Sequence, residues 1–211
     1  MTILVGLAFA AVSLALFAAL VATPVAPGLG AAARTEIAAT GVSNPVTAVL
    51  LDYRGYDTLL ELLVVLVAAV AAGALAPRRA EPAPIDGPVA EATAGLLTPG
   101  IVVTAGYLLW IGSEAPGGAF QAAALLAGAL ILLEVTGKGA PPRRQAPERA
   151  LAGLGVLAFL VVGVAVAART GVFLDYPAAR AGDLILAIEA AATLGVAVGL
   201  RALFRAGTIP A

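Results

Sequence analysis

The sequence predicts an all-α, polytopic membrane protein with about six transmembrane helices and both termini on the cytoplasmic side. Three observations predict it. Of 211 residues, 61% are hydrophobic and 12% charged, with a mean hydropathy of +1.02, too little polar surface for a soluble domain of this length. The apolar residues fall into runs of roughly 20, the number needed to cross about 30 Å of hydrocarbon at about 1.5 Å per residue. The basic residues gather in alternate connections between those runs.

Composition also limits the chemistry. Aromatic residues make up only 5% of the chain while glycine numbers 24, a balance suited to close helix packing in lipid. With no Cys and no His, the chain cannot form a disulfide, a thiol nucleophile, a His–Cys zinc site or a Ser-His-Asp triad. No catalytic residue, metal site or cofactor is therefore expected. A net charge of −1 gives no reason to expect nucleic acid as a partner.

The predicted spans follow in order. The first, Thr2–Ala22, has no Lys or Arg ahead of it and is too long for a signal-peptide core, so it reads as a retained helix. The others are Leu59–Ala76, Ala92–Ile111, Gly117–Thr136, Leu151–Ala168 and Asp183–Phe204. Arg78, Arg79, Lys138, Arg143, Arg144, Arg149, Arg201 and Arg205 lie on one side of the resulting topology, and Arg34, Arg54, Arg169 and Arg180 on the other. That excess places both termini in the cytoplasm. Two Pro-rich connections, Pro77–Pro88 and Gly137–Glu148, read as extended linkers. The first divides the chain into a two-helix unit with a long outer loop (1–76), a cytoplasmic linker (77–91) and a four-helix unit (92–211). No inverted repeat is evident, which argues for a subunit rather than a complete carrier.

Three features carry candidate chemistry. In the outer segment NPVTAVLLDYRGYDTLLEL (Asn44–Leu62), Asp52, Arg54 and Asp57 lie close together, and Glu61 follows just inside the next helix. Asp57 and Thr58 are expected to cap that helix, and an Asp–Arg pair at the membrane surface would account for much of the cluster. In GSEAPGGAF (Gly112–Phe120), Pro116, Gly117 and Gly118 predict a tight reversal between antiparallel helices, with Glu114 just before it. Pro99 predicts a kink in the preceding helix. Glu189 lies six residues into the last span, about 9 Å beyond Asp183. A carboxylate at that depth costs about 2.5–3.5 kcal/mol on insertion scales and should face protein or water. Its alternatives are a structural partner or a place on a proton or cation path, whereas Glu61 and Glu134 can reach the interface. Thr136-Gly137-Lys138-Gly139 is not a phosphate loop: Leu132 replaces the first glycine and Gly139 the Ser or Thr.

Two of these segments resemble a known family. Asp52–Glu61 (DYRGYDTLLE) resembles the D-F-R-G-x-D-T-x-G-E segment near the end of the A subunit of Mrp (Mnh) multisubunit sodium/proton antiporters, and the E-type subunit of membrane-bound hydrogenases. Asp52, Arg54, Gly55, Asp57, Thr58 and Glu61 match, while Tyr53 stands for Phe and Leu60 for Gly. Gly112–Leu133 resembles the G-H-N-x-P-G-G-G-F turn and following helix of the B subunit, the MnhB domain. Gly112, Pro116, Gly117, Gly118 and Phe120 match; Ser113-Glu114 replaces His-Asn, and Ala119 the third Gly. The resemblance implies a non-catalytic subunit of a monovalent cation (sodium)/proton antiporter in the bacterial cytoplasmic membrane. Its partners would be antiporter-like subunits and small C-, E-, F- and G-type subunits, and Glu189, Asp183 and Glu61 become candidates for the ion path. An alternative is a scaffold subunit in a redox-driven (hydrogenase-like) or inorganic-carbon-uptake complex. A stand-alone membrane enzyme or small-solute carrier would need convergent polar residues near one interface, and only the Asp52–Asp57 cluster offers any.

Overall fold

A computed structural model describes residues 2–22, 29–75, 84–85, 87–139 and 145–207. Among them every regular element is helical. They form two compact units, residues 1–35 and 36–211. The first contains α1 (Thr2–Ala22), whose sequence has no polar face, and the short α2 (Leu29–Thr35). Arg78, Arg79, Arg143 and Arg144, counted above toward the charge bias, lie outside the described residues.

The second unit opens with a 3-10 turn (Ile37–Thr40), α3 (Pro45–Ala48) and a π-helical segment (Val49–Tyr53). It continues with α4 (Gly55–Leu75), α5 (Pro88–Ile111), α6 (Ala119–Val135), α7 (Gln145–Ala152), α8 (Leu154–Thr170) and α9 (Ala181–Gly207). By length and apolar character α4, α5 and α9 are long enough to cross a membrane. At 17 residues each, α6 and α8 sit at the lower end of the spanning range. With α1, six apolar helices stand where six were expected.

The last helix is the axis of this unit. α4, α6 and α8 all pack on α9, and α5 lies against α6. The α8–α9 crossing depends on missing side chains: a Cβ on Gly155 would lie 2.7 Å from the Cα of Ala192, and one on Gly195 3.2 Å from the Gly155 nitrogen. Small residues thus let two backbones close on each other, the main source of helix association where lipid removes the hydrophobic drive. Phe159, Ile185 and Ile188 fill the centre. α5 continues through Pro99 as a single helix.

Two expectations need correction. The outer segment is not an open loop before a helix capped by Asp57 and Thr58. Asn44 caps α3 by accepting from the Val46 N–H, with Pro45 at the first helical position. α4 then begins at Gly55, and Thr58 donates to the Leu50 carbonyl at 2.6 Å. That bond ties the π segment to α4 and removes Thr58 from any capping role. The Gly137–Glu148 linker is likewise shorter than expected, because α7 is already helical from Gln145. A proline in a helix's first turn forfeits no intrahelical bond, so Pro147 does not prevent it. At the other linker, the Ile85 N–H donates to the Val135 carbonyl at 2.7 Å, satisfying an acceptor at the end of α6.

Candidate functional site

The two motif segments meet. The carbonyl of Ser113 accepts from the backbone N–H groups of Ser43 and Asn44, both at 2.9 Å. The Asn44 side chain donates to the Gly112 and Ala115 carbonyls, each at 2.8 Å, and the Thr47 hydroxyl donates to Gly112 as well. One short helix and the residues leading into it therefore clasp the α5–α6 turn at the carbonyls of Gly112, Ser113 and Ala115. The turn folds back through a Gly118 N–H bond to the Leu108 carbonyl at 2.8 Å. Gly118 has φ 105° and ψ −173°, a region open essentially to glycine alone.

Glu189 reaches this turn from α9. It is 5% exposed, and its Oε1 accepts from the Ala119 N–H, the first of α6, at 3.3 Å. The carboxylate thus faces the positive end of the α6 dipole, a favourable placement for an anion. Space for Oε1 exists because residue 118 is glycine: a Cβ there would lie 2.9 Å from it. The other oxygen, Oε2, is buried with no hydrogen-bond partner. Thr193, one turn further along α9, donates to the Glu189 carbonyl at 2.7 Å and approaches the Ala119 carbonyl at 3.4 Å. Glu189 also lines a cavity of about 80 Å³, together with Thr47, Leu50, Thr58, Phe120, Gln121 and Phe159.

The remaining predicted residues are not gathered here. Glu61, Asp183, Glu114 and Pro116 are exposed on the chain's own surface. Arg54 and Asp57 form an ion pair with 71% and 45% of their side chains exposed, which keeps it weak. Gly55 is packed, its missing Cβ replaced by Leu174 Cδ1. Asp52 is half-buried; burial first, and the charge of Asp175 second, hold its carboxyl above the usual range. Leu174, buried beside Gly55, takes a positive φ of 62°, unusual for a bulky residue.

One polar cluster escaped the sequence reading. Glu134 accepts from Arg201 Nε at 2.7 Å and from Arg205 Nε at 2.6 Å. Glu148 accepts from Arg205 Nη1 at 3.1 Å and from Arg201 Nη1 at 3.4 Å. Four alternating charges thus join α6, α7 and α9. Arg201 and Arg205 share a helix face at i,i+4 spacing, the only local signal available. Their carboxylates lie more than fifty positions away in sequence.

Residues 89–206 match the family of domains related to the MnhB subunit of Na+/H+ antiporter. The chain belongs to that family. In this MnhB-related chain, residues 1–90 match a second family, MbhE, the E-type subunit of MBH. The resemblance seen in the two motifs is borne out, including their order. Among solved structures, the chain is similar to one in the Mrp complex from Dietzia sp. DQ12-45-1b, with 30% identity and a TM-score of 0.72. That likeness covers 96% of this chain but 25% of the other, so the MnhB-related chain spans about a quarter of its relative's length. It also shares the fold of a chain in the membrane-bound sulfane sulfur reductase, an archaeal respiratory membrane complex, with a TM-score of 0.74 and 21% identity, covering 97% and 96% of the two chains. No curated protein matches it. Family and apolar helices together make it a multi-pass membrane protein.

Proposed function

We propose that the chain is a non-enzymatic subunit of an Mrp-like multisubunit monovalent cation (sodium)/proton antiporter, contributing to its ion pathway and assembly. One observation carries this reading. The Glu189 cavity is walled both by the MbhE-matching segment, through Thr47 and Thr58, and by the MnhB-related segment, through Gly118 and Gln121. A buried carboxylate placed where two such segments meet is what an ion-handling subunit requires. On this reading the subunit lies in a bacterial cytoplasmic membrane with both termini inside, and residues 77–91 join the two parts. Exposed Glu61 and Asp183 would then be covered by neighbouring subunits, since bare carboxylates facing lipid are costly.

The test is purification of the tagged chain from its native membrane. Co-purification with antiporter-like and small C-, E-, F- and G-type subunits, and sodium-dependent proton movement in everted vesicles, is the expected result. An active chain isolated without partners would contradict it. A second reading is a scaffold subunit of a redox-driven or inorganic-carbon-uptake complex. The MbhE match and the fold shared with the sulfane sulfur reductase chain favour it. Iron–sulfur or hydrogenase subunits, or a soluble zinc enzyme, among the co-purified partners would select it.

A further inference from the structure

Asn44 and Thr47 are buried polar residues with more hydrogen bonding than the cap of a four-residue helix requires. Capping α3 uses only Asn44 Oδ1, which accepts from the Val46 N–H at 3.0 Å. The two hydrogens of its amide nitrogen both cross the fold, to the Gly112 and Ala115 carbonyls at 2.8 Å each. The Thr47 hydroxyl also donates to Gly112. These donors serve the α5–α6 turn rather than α3.

The turn so held reaches Glu189 through backbone alone. A Cβ on Gly112 would lie 2.6 Å from both the N and the Cα of Gly118, so no side chain separates the two residues. A Cβ on Gly117 would lie 2.5 Å from the Leu108 carbonyl oxygen, which accepts the Gly118 N–H at 2.8 Å. Gly118 leads directly into Ala119, whose N–H meets Glu189 Oε1 at 3.3 Å.

Backbones packed this closely transmit displacement, because no flexible side chain lies between them to absorb it. A shift at Gly112 therefore arrives at the start of α6. The Ala119 bond, at 3.3 Å, is already long beside the usual value of about 2.9–3.0 Å, so even a small shift decides whether it is kept. Asn44 and Thr47 belong to the MbhE-matching residues 1–90, whereas the turn and Glu189 belong to the MnhB-related residues 89–206. One family's segment thus holds the turn on which the other family's buried carboxyl rests.

We infer that Asn44 and Thr47 are positioning residues for Glu189: by fixing the Gly112 and Ala115 carbonyls, they set the N-terminus of α6 against the Glu189 carboxyl. The effect on the carboxyl stands on these contacts. Any effect on ion exchange rests on the subunit role proposed above.

The test uses the purified complex in nanodiscs and acid-minus-alkaline infrared difference spectra, in which the Glu189 signal is the carboxyl band missing from Glu189→Gln. Thr47→Val keeps the shape of the side chain and loses only the hydroxyl. It should move that band and lower sodium/proton exchange per assembled complex about three- to tenfold, the range set by one hydrogen bond. Thr47→Ser keeps the donor and should hold the band in place, with exchange within about twofold of wild type. Asn44→Asp preserves the cap on α3 but replaces the amide donors by an acceptor, and should move the band at least as far as Thr47→Val. Should Asn44→Asp not assemble, the two Thr47 variants decide alone. Thr104→Val removes a hydroxyl-to-carbonyl bond elsewhere on α5, from Thr104 to Gly100, and should leave both readouts at wild type.

If the Thr47→Val band coincides with wild type, if Thr47→Ser moves it as far as Thr47→Val does, or if Thr104→Val moves it equally, the clasp is only structural and the inference fails. A band moved in Thr47→Val and kept in Thr47→Ser, with exchange unchanged in both, would support the positioning and refute the ion-pathway role of Glu189 instead.

Discussion

α9 carries two acid-centred sites, and they differ in how completely their charges are answered. Near its start, Glu189 uses one oxygen on a helix N-terminus and leaves the other bare beside a cavity. About 18 Å further along, beginning at Arg201, both oxygens of Glu134 and of Glu148 are met by guanidinium nitrogens. The second arrangement is closed: its charges cancel, each carboxylate oxygen is satisfied, and nothing is left to bind. The first is open. Charge that is fully paired holds helices together, whereas a buried carboxylate met at one oxygen only is the kind of group proposed above for the ion path.

Removing a member of the closed site should have the larger structural effect. Arg201→Ala leaves Glu134 and Glu148 sharing one cation in a part-buried setting. It should cost about 2–3 kcal/mol, between the values for surface and fully buried pairs. A drop in thermal midpoint followed by circular dichroism, and lower complex yield, would register it. Gly118→Ala should follow at about 2 kcal/mol, since its backbone is open essentially to glycine. Part of that cost is the approach to Glu189 Oε1, so Glu189→Ala in the Gly118→Ala background should recover some of it in a double-mutant cycle.

Weaker effects are expected at the outer surface. Asp52 has its carboxyl raised by burial and by Asp175, so the unfolded chain ionises first as pH climbs and folding stability falls. Asp52→Asn should therefore stabilise the chain at neutral pH. That advantage should vanish below about pH 3.8, the ordinary carboxyl value, when both states are protonated. Thermal melts across pH would show the convergence. Arg54→Ala, which removes an exposed pair, should shift stability by less than about 0.5 kcal/mol.

The same contrast explains what the sequence could show. A run of about twenty apolar residues is a local property, so the six helices were legible. So was Glu189, a lone carboxylate in such a run. Its bare oxygen was not, because that depends on Asn44 and Thr47 gripping a turn nearly seventy positions away. The four-residue α3 was illegible for a related reason, since a helix that short exists only with tertiary support. Asp183 and Glu61 shared Glu189's acidity but not its burial, and side-chain direction around a helix axis is decided by packing. The Glu134–Arg201 pair likewise joins α6 to α9 across the fold.

The most direct measurement compares Glu189→Gln with Glu134→Gln in the assembled complex, scoring assembly and sodium/proton exchange per complex in everted vesicles. Glu189→Gln should assemble normally and lose exchange, while Glu134→Gln should assemble poorly but exchange normally in whatever complex forms. Normal exchange in Glu189→Gln, with normal assembly, would contradict this expectation.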